Sequence, residues 1–332
     1  MSRRVSHPEI NREDAISVGE LGEFGLIAAI QARLAPDERL VVPGGDDATV
    51  LRITNGRVVA TTDLLVEDRH FRRDWSGPAD VGVKAAAQNL ADIAAMGARS
   101  RTLLVGIACP ADLPAQWVLE MIDGMVAECA RAGASIAGGD VTAANSVMLA
   151  ITALGELDGL HPVTRAGARP GDLVAVDGRL GWSAAGLALL RAGRADDPAP
   201  EMASLVAAHR RPQPPYAAGP AAATAGATAM IDVSDGLLAD LGHIASASGV
   251  AINLESARIQ VAAPVAAGAR VLEADAMDFV LAGGEDHALA ASFPPGTVAP
   301  DGWQVIGAVA EGSGVTVDGS PRNGPVGWDH FR

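Results

Sequence analysis

Acidic residues in this sequence recur in one kind of setting. Val41-Val42-Pro43-Gly44-Gly45-Asp46-Asp47, Ile136-Ala137-Gly138-Gly139-Asp140 and Leu281-Ala282-Gly283-Gly284-Glu285-Asp286 each run from apolar residues through a glycine pair to carboxylates. Met230-Ile231-Asp232-Val233-Ser234-Asp235-Gly236 reverses the order, and Ala60-Thr61-Thr62-Asp63 repeats the pattern without glycine. Read as strands, the apolar runs put the acids at strand ends. A single segment of this kind is a turn before it is anything else; the repetition is what carries information. Glycine lets backbone or ligand approach closely. Carboxylates that converge repel, at a cost on the order of 4 kcal/mol for a pair ~4 Å apart at an effective dielectric of ~20. Divalent cations relieve that repulsion, and oxygen ligands without Cys or His metal spacing favour Mg²⁺ over zinc.

The segment Val81–Ile93 adds a further acid. Lys84, Gln88 and Asp92 fall at i, i+4 and i+8, one polar stripe on a helix whose other positions are small or apolar. Such a helix is buried on most sides, so the stripe is expected to face a site rather than solvent. Arg165 and Arg169 lie in a loop; the planar guanidinium fork suits phosphate oxygens, and ordinary loop arginines fit equally well.

These residues need elements to position them. A helix is expected over Gly19–Leu34, with strands at Leu40–Val42 and at Val58–Thr62, the latter ending at Asp63. A helix over Ala79–Met96 stops at Gly97, and another over Pro114–Arg131 stops at Gly133. Strands follow at Thr102–Ala108, at Ser135–Ala137 running into the glycine pair, and at Val147–Leu154. The loop His161–Asp172 marks a boundary. Beyond it the expectations are strands at Leu173–Val176, Ala229–Val233 and Leu289–Phe293, helices at Trp182–Arg191 and Leu237–Ser246, a proline-rich excursion over 198–215, and an apolar strand over Phe279–Ala282. Leu90-Ala91-Asp92-Ile93 and Leu238-Ala239-Asp240-Leu241 echo one another, compatible with two related α/β halves. The expected division is a flexible arm over 1–18, one domain over 19–158 and a second over 159–332.

Composition narrows the function. With 332 residues, 49% hydrophobic and 20% charged, the chain can bury a sizeable core. Aromatics are only 3%, so small side chains and close backbone contacts build that core. The net charge of −15 argues against a nucleic-acid groove. Cys109 and Cys129 form no CxxC motif and read as buried thiols in a reducing compartment. No apolar leader precedes residue 14 and no run makes a good membrane span, so a soluble cytoplasmic protein is expected. There is no GxxxxGK[ST] loop, GxGxxG turn, protein-kinase signature or GxSxG elbow. A bound nucleotide would depend heavily on metal ions.

In order and spacing, the motifs resemble the thiamine-monophosphate kinase family, of the superfamily that includes aminoimidazole ribonucleotide synthetase. The resemblance runs from about Gly19 to the C-terminus. It rests on Gly22-Glu23-Phe24, Gly45-Asp46-Asp47-Ala48, Thr61-Thr62-Asp63 with His70-Phe71, Asn89–Gly97, Gly138-Gly139-Asp140, Arg165 with Gly171-Asp172, Asp232–Leu237, Gly283–Asp286 and Gly327-Trp328-Asp329-His330-Phe331. It implies an α/β fold (α+β type) of two related halves, the N-terminal halves pairing into a dimeric β-barrel. It also implies ATP as co-substrate, several Mg²⁺ ions, a cleft at the dimer interface and thiamine monophosphate as acceptor. By similarity Asp46, Thr61, Thr62, Asp63, Asp92, Asp140, Asp232 and Asp235 correspond to Mg²⁺ ligands, with Asp46, Asp63 and Asp92 central to catalysis. Gly139, Asp140, Arg165 and Ser234 correspond to nucleotide contacts, and His70, Glu285 and Trp328 to acceptor contacts. The chain departs from the family at Ile122, which often is an aromatic near the nucleotide, and at His287, where tyrosine is expected. Neither departure is expected to touch the acidic ligands.

The acceptor so implied is a phosphate monoester, largely a dianion at neutral pH. Direct in-line transfer of the γ-phosphoryl group, without a phosphoenzyme, is the expected chemistry. Two alternatives remain at this point: another ATP-using synthetase of the superfamily, and a non-catalytic Mg-nucleotide-binding protein. The selenophosphate and hydrogenase-maturation relatives should carry a reactive N-terminal or C-terminal Cys, which this sequence lacks.

Overall fold

The computed structural model describes residues 16–42, 48–54 and 56–328. Asp46, with the whole of its Gly-Gly-Asp-Asp segment, lies outside them, as do most of the expected arm and Asp329-His330-Phe331. The chain begins with α1 (Val18–Leu21), α2 (Glu23–Gln31) and the hairpin-like pair β1 (Leu40–Val42) and β2 (Val50–Leu51). The single helix expected over Gly19–Leu34 is two, because Gly22 at φ 72° leaves the helical region between them.

The first half follows as β3 (Val59–Val66), α3 (Pro78–Ala95), β4 (Arg99–Cys109), α4 (Ala115–Ala132), β5 (Ser135–Ala143) and β6 (Met148–Glu156). Its sheet runs β3-β6-β4-β5, with only β4 and β5 parallel. Leu65, Leu103, Val105, Leu149 and Ile151 point from this sheet into a core shared with α3 and α4. Period-two alternation turns Leu64, Leu104 and Leu154 to the other face, where Leu64 is 53% exposed.

The second half contains β7 (Leu173–Asp177), α5 (Trp182–Arg191), α6 (Pro200–Arg210), α7 (Ala218–Thr224), β8 (Ala229–Val233), α8 (Leu237–Ser248), β9 (Ala251–Leu254), α9 (Ala263–Val271), α10 (Ala276–Ala282), β10 (Ala288–Phe293), β11 (Gln304–Ala310) and β12 (Gly314–Val317). Its sheet runs β12-β9-β11-β7-β10-β8. The strand expected over Phe279–Ala282 is the end of helix α10. Four apolar residues carry no period that separates strand from buried helix. Asp275 decides it, accepting from Met277 N at 2.9 Å as an N-cap.

Two acids expected at strand ends lie inside strands. Asp63 pairs with Ile151 in mid-β3 and Asp140 with Gly106 in mid-β5, because the ladders to β6 and to β4 run on past each acid. Among the described residues, no helix is long and apolar enough to cross a membrane.

Helix α3 joins the halves. It starts at Pro78, with the Asp80 carboxylate accepting from Gly77 N at 3.0 Å. It packs on α4 and the first sheet, and also touches β8, α6 and α7 of the second half. The α3–α4 crossing is backbone on backbone. A Cβ on Gly82 would sit 1.9 Å from the Met121 carbonyl oxygen, and one on Gly124 2.2 Å from that of Ala79. Either Gly82→Ala or Gly124→Ala is therefore expected to force the helices apart, lowering stability by about 2–4 kcal/mol in urea unfolding. A loss below about 0.5 kcal/mol would show that the crossing can breathe.

Candidate active site

A cavity of about 1510 Å³ opens where the halves meet. On the first half it is walled by β3, the polar side of α3 and the segment 68–75. On the second half the walls are β8, one face of α5, the 283–287 loop and the approach to Trp328. Thr61, Asp63, His70, Asp92, Arg165, Asp232, Ser234, Asp235, Glu285 and Trp328 all line it. Residues separated by most of the chain thus share one volume.

The carboxylates face one another across the junction. Alternation along β3 sends Thr61 and Asp63 toward α3, where Thr61 Oγ1 donates to Asp92 Oδ2 at 2.8 Å. Asn89 fixes the strand locally: its Oδ1 accepts from Asp63 N at 3.1 Å and its Nδ2 donates to Ala85 O at 3.0 Å. From the other half, Asp232 sits near the end of β8 and is buried. Asp235 lies just beyond, its carbonyl accepting from Trp328 N at 3.0 Å. Burial, reinforced by the negative charges of Asp232 and Asp63, pushes Asp92 up to about 7, against the hydroxyl of Thr61. Burial likewise raises Asp63, with His287 opposing and Asp232 adding to the rise. Loss of water and, secondarily, mutual repulsion thus both disfavour ionisation of these acids.

His287 is part of this cluster, contrary to the expectation that it stands apart from the acids. Its Nδ1 lies 3.1 Å from Asp232 Oδ2, and both side chains are buried. The sequence places it two residues past Glu285; what brings it inward is the loop's backbone. Glu285 and His287 adopt φ of 64° and 53°, values uncommon for side chains other than glycine. Their N–H groups donate to Ser234 O at 2.8 Å and to Val233 O at 3.0 Å, zipping the loop onto the end of β8. Between them Asp286 turns away, and its Oδ1 accepts from Ser183 N at 2.8 Å at the start of α5. Burial, against those backbone donors, raises the Asp286 carboxyl to about 7.

Glu285 is already paired. Lys84 Nζ lies 3.0 Å from its Oε1, and His209 Nδ1 lies 3.4 Å from its Oε2. Burial is the largest single effect and opposes ionisation, but the Lys84 charge and hydrogen bond together with the neighbouring histidines outweigh it and hold the carboxyl at about 2. His70 Nδ1 accepts from Val66 N at 3.0 Å, so the neutral ring carries its hydrogen on Nε2. Trp328 is 52% exposed at the rim.

Four of the expected site residues are placed elsewhere. Thr62 points to the opposite face of β3, its Oγ1 donating to Ile151 O at 2.9 Å. Gly139 and Asp140 are exposed on β5, at the far edge of the sheet from β3. Ile122, expected near the nucleotide, is 1% exposed in the core between α3 and α4 and has no surface to offer a ligand in this chain. Conversely, His209, Trp75, Phe279 and Arg191 line the cavity without having been singled out. Arg191 had a legible signal: Ala184, Leu187, Ala188 and Arg191 recur at helical spacing along α5 and share its cavity face. His209 had none.

Two family domains divide the chain in the same way as its two sheets. Residues 45–157 match the AIR synthase related protein N-terminal domain and residues 169–319 the corresponding C-terminal domain. The thiamine-monophosphate kinase of Mycobacterium tuberculosis (strain CDC 1551 / Oshkosh) is 49% identical over 315 residues, covering 94% of this chain and 92% of that protein. Among solved structures, thiamine-monophosphate kinase from Stenotrophomonas maltophilia K279a superposes with a TM-score of 0.80 at 31% identity, covering 90% of this chain and 96% of that one. AaThiL complexed with AMPPCP and TMP superposes at 0.78 with 32% identity, covering 94% and 98%. Fold, motif order and similarity along nearly the whole length agree that this chain belongs to the AIR synthase related family, among its thiamine-monophosphate kinases.

Proposed function

We propose that this chain transfers the γ-phosphoryl group of ATP to thiamine monophosphate, giving thiamine diphosphate. The observation that carries the reading is the acidic wall built from both halves, Asp63 and Asp92 opposite Asp232 and Asp235, in one large cavity. It stands in a chain 49% identical to a thiamine-monophosphate kinase. Need for ATP fits a cytoplasmic location. The two halves divide after Asp158, between the matched family domains.

The acceptor phosphate, with a second pKa of about 6, is its own nucleophile, so no residue has to act as general base. The barrier is that one anion must approach another. Among the described residues, no group of three or more His, Cys, Asp or Glu side chains is arranged so as to hold a metal ion by itself. The donors are nonetheless all oxygen, and burial together with repulsion from Asp232 and Asp63 raises Asp92. That fits Mg²⁺, which keeps several waters and takes only one or two carboxylates per ion. When bound, Mg²⁺ would supply charge neutralisation as the two phosphates approach.

The protein's own groups then have distinct tasks. Asp63, Asp92, Asp232 and Asp235, with Asp46 from the segment outside the described residues, would hold the ions. Thr61 fixes the Asp92 carboxylate and His287 that of Asp232. Arg165 and Ser234 take nucleotide phosphate oxygens, the His70 Nε2–H donates to the acceptor, and Trp328 covers a ring.

The reading extends to a homodimer. The face of the first sheet turned away from α3 and α4 carries Leu64, Thr152, Ala150, Leu104 and Leu154, and α3 and α4 cover only the other face. A second copy laid on this face would close two open sheets into a barrel, removing their edges, and would give Gly139 and Asp140 a ligand-facing place. Ala150→Arg, in the middle of the face, is expected to convert a dimer to a monomer by light scattering. A wild-type protein that is monomeric at tens of micromolar would refute the barrel.

Turnover is tested by chromatographic detection of thiamine diphosphate from thiamine monophosphate and ATP, with Mg²⁺ or with EDTA. Product is expected only with Mg²⁺; folded protein giving none would move the assignment to a sibling synthetase. Asp63→Asn and Asp92→Asn should each lower kcat by about a hundredfold or more; near-normal kcat at low Mg²⁺ would remove these residues from the mechanism.

Asp92 also sets a pH signature in EDTA. Its folded-state value of about 7 lies above the usual carboxylate value, so the folded state binds the extra proton between roughly pH 4 and 7. Metal-free stability should fall as pH rises through that window, and Asp92→Asn should flatten the slope of Tm against pH. An unchanged slope would mean that Asp92 is not the group responsible.

A further inference from the structure

Lys84 is the only lysine in the chain. It is 3% exposed on α3, and its Nζ–Oε1 contact of 3.0 Å with Glu285 crosses from the first half to the second. The other Glu285 oxygen meets His209, which burial and the nearby Lys84 charge lower to about 3, so that the ring is neutral at physiological pH. His209 is in turn 3.1 Å from Ser183 Oγ. Glu285 thus has one cationic partner and one neutral one.

This pairing changes what Glu285 can do for a ligand. An unpartnered carboxylate in a partly buried wall would be a counter-ion for a cationic ring. Glu285, compensated by Lys84, is instead a fixed hydrogen-bond acceptor of little net charge, suited to the amino group of an aminopyrimidine. The loop's backbone bonds tie it only to its own half, at β8. Gly284 makes that attachment possible, since a Cβ there would lie 2.2 Å from Ser234 O. Among the described residues, Lys84 is the ionic tie from this loop to α3, the helix that presents Gln88 and Asp92 to the cavity one and two turns further on.

We propose that Lys84 is a positioning residue for the acceptor: by holding the Glu285 carboxylate across the junction, it makes Glu285 a directional acceptor for the aminopyrimidine amine rather than a counter-ion for the thiazolium. The inference rests on the proposed kinase reading. Lys84 does not itself line the cavity, so its effect passes through Glu285.

The test uses the full chain with Lys84→Met, Lys84→Arg, Glu285→Gln and the Lys84→Met/Glu285→Gln double variant. KM is measured separately for thiamine monophosphate and ATP, and thiamine monophosphate binding is measured by calorimetry. Lys84→Met is expected to weaken thiamine monophosphate binding and raise its KM by about tenfold or more, with ATP KM within about twofold and kcat within about threefold. Lys84→Arg should recover part of the loss, and the double variant should be no worse than the poorer single one.

Tighter or unchanged thiamine monophosphate binding by Lys84→Met would overturn the proposal, because the freed carboxylate would then be acting as a counter-ion. Parallel losses in ATP KM, kcat and acceptor affinity would overturn it too, as general loosening of the junction. If Lys84→Met fails to fold, near-isosteric Glu285→Gln carries the same expected split. A wild type that binds thiamine monophosphate without turning it over breaks the kinase reading and leaves calorimetry to decide this one. A wild type that neither binds nor turns over sinks both.

Discussion

Helix α3 is buried from two opposite directions, against the first half's sheet and against β8 and α7 of the second, and this double burial governs what its sequence can be. Ala85, Ala86, Ala91, Ala94 and Ala95 are small because large side chains have no room between two layers of backbone. Leu90 and Ile93 fill the one core deep enough to take them. The remaining direction opens on the cavity, and there the helix places its polar residues. A helix so enclosed has little rotational freedom, so Asp92 is held against Thr61 with the accuracy of the core itself. The same enclosure removes water from Asp92 and raises its proton affinity. Packing and electrostatics at this site have one cause.

Much of this was legible in the residues, for identifiable reasons. Gly97 and Gly133 mark helix ends because chain reversal there favours glycine, and the Lys84-Gln88-Asp92 stripe stands out because everything around it is apolar. Other features had no local signature. Leu64-Leu65-Val66 continues β3 past Asp63, so a carboxylate sits within a ladder where an acid usually ends one. The short apolar run before Gly283 fits a helix as well as a strand, and a cap four residues before the run begins settles it. The echo between Asp92 and Asp240 is sequence-deep only. Asp240 Oδ2 accepts from Asp235 N and Gly236 N at the start of its own helix α8, at 3.1 and 3.0 Å, and is not among the cavity's walls. His209 emerges only when α6 is packed beside α5.

The left-handed residues Glu285 and His287 show how the second half completes the site. Each is an unfavourable backbone choice, of the order of 1–3 kcal/mol. Placed on either side of Asp286, they redirect the chain so that Glu285 meets Lys84, His287 meets Asp232 and Asp286 reaches the start of α5. Three neighbouring side chains are sent to three elements. A regular strand or helix cannot do this, because its period fixes which side chains share a face.

Enclosing Lys84 has a consequence for the outside of the molecule. With the only ε-amine sealed between the halves, the fixed positive charge on the surface of the described residues is carried by guanidinium groups. Acylating reagents, amine cross-linkers and lysine-modifying enzymes therefore find no side-chain target among the described residues until α3 separates from the second half. The appearance of an acylated Lys84 would report that separation directly.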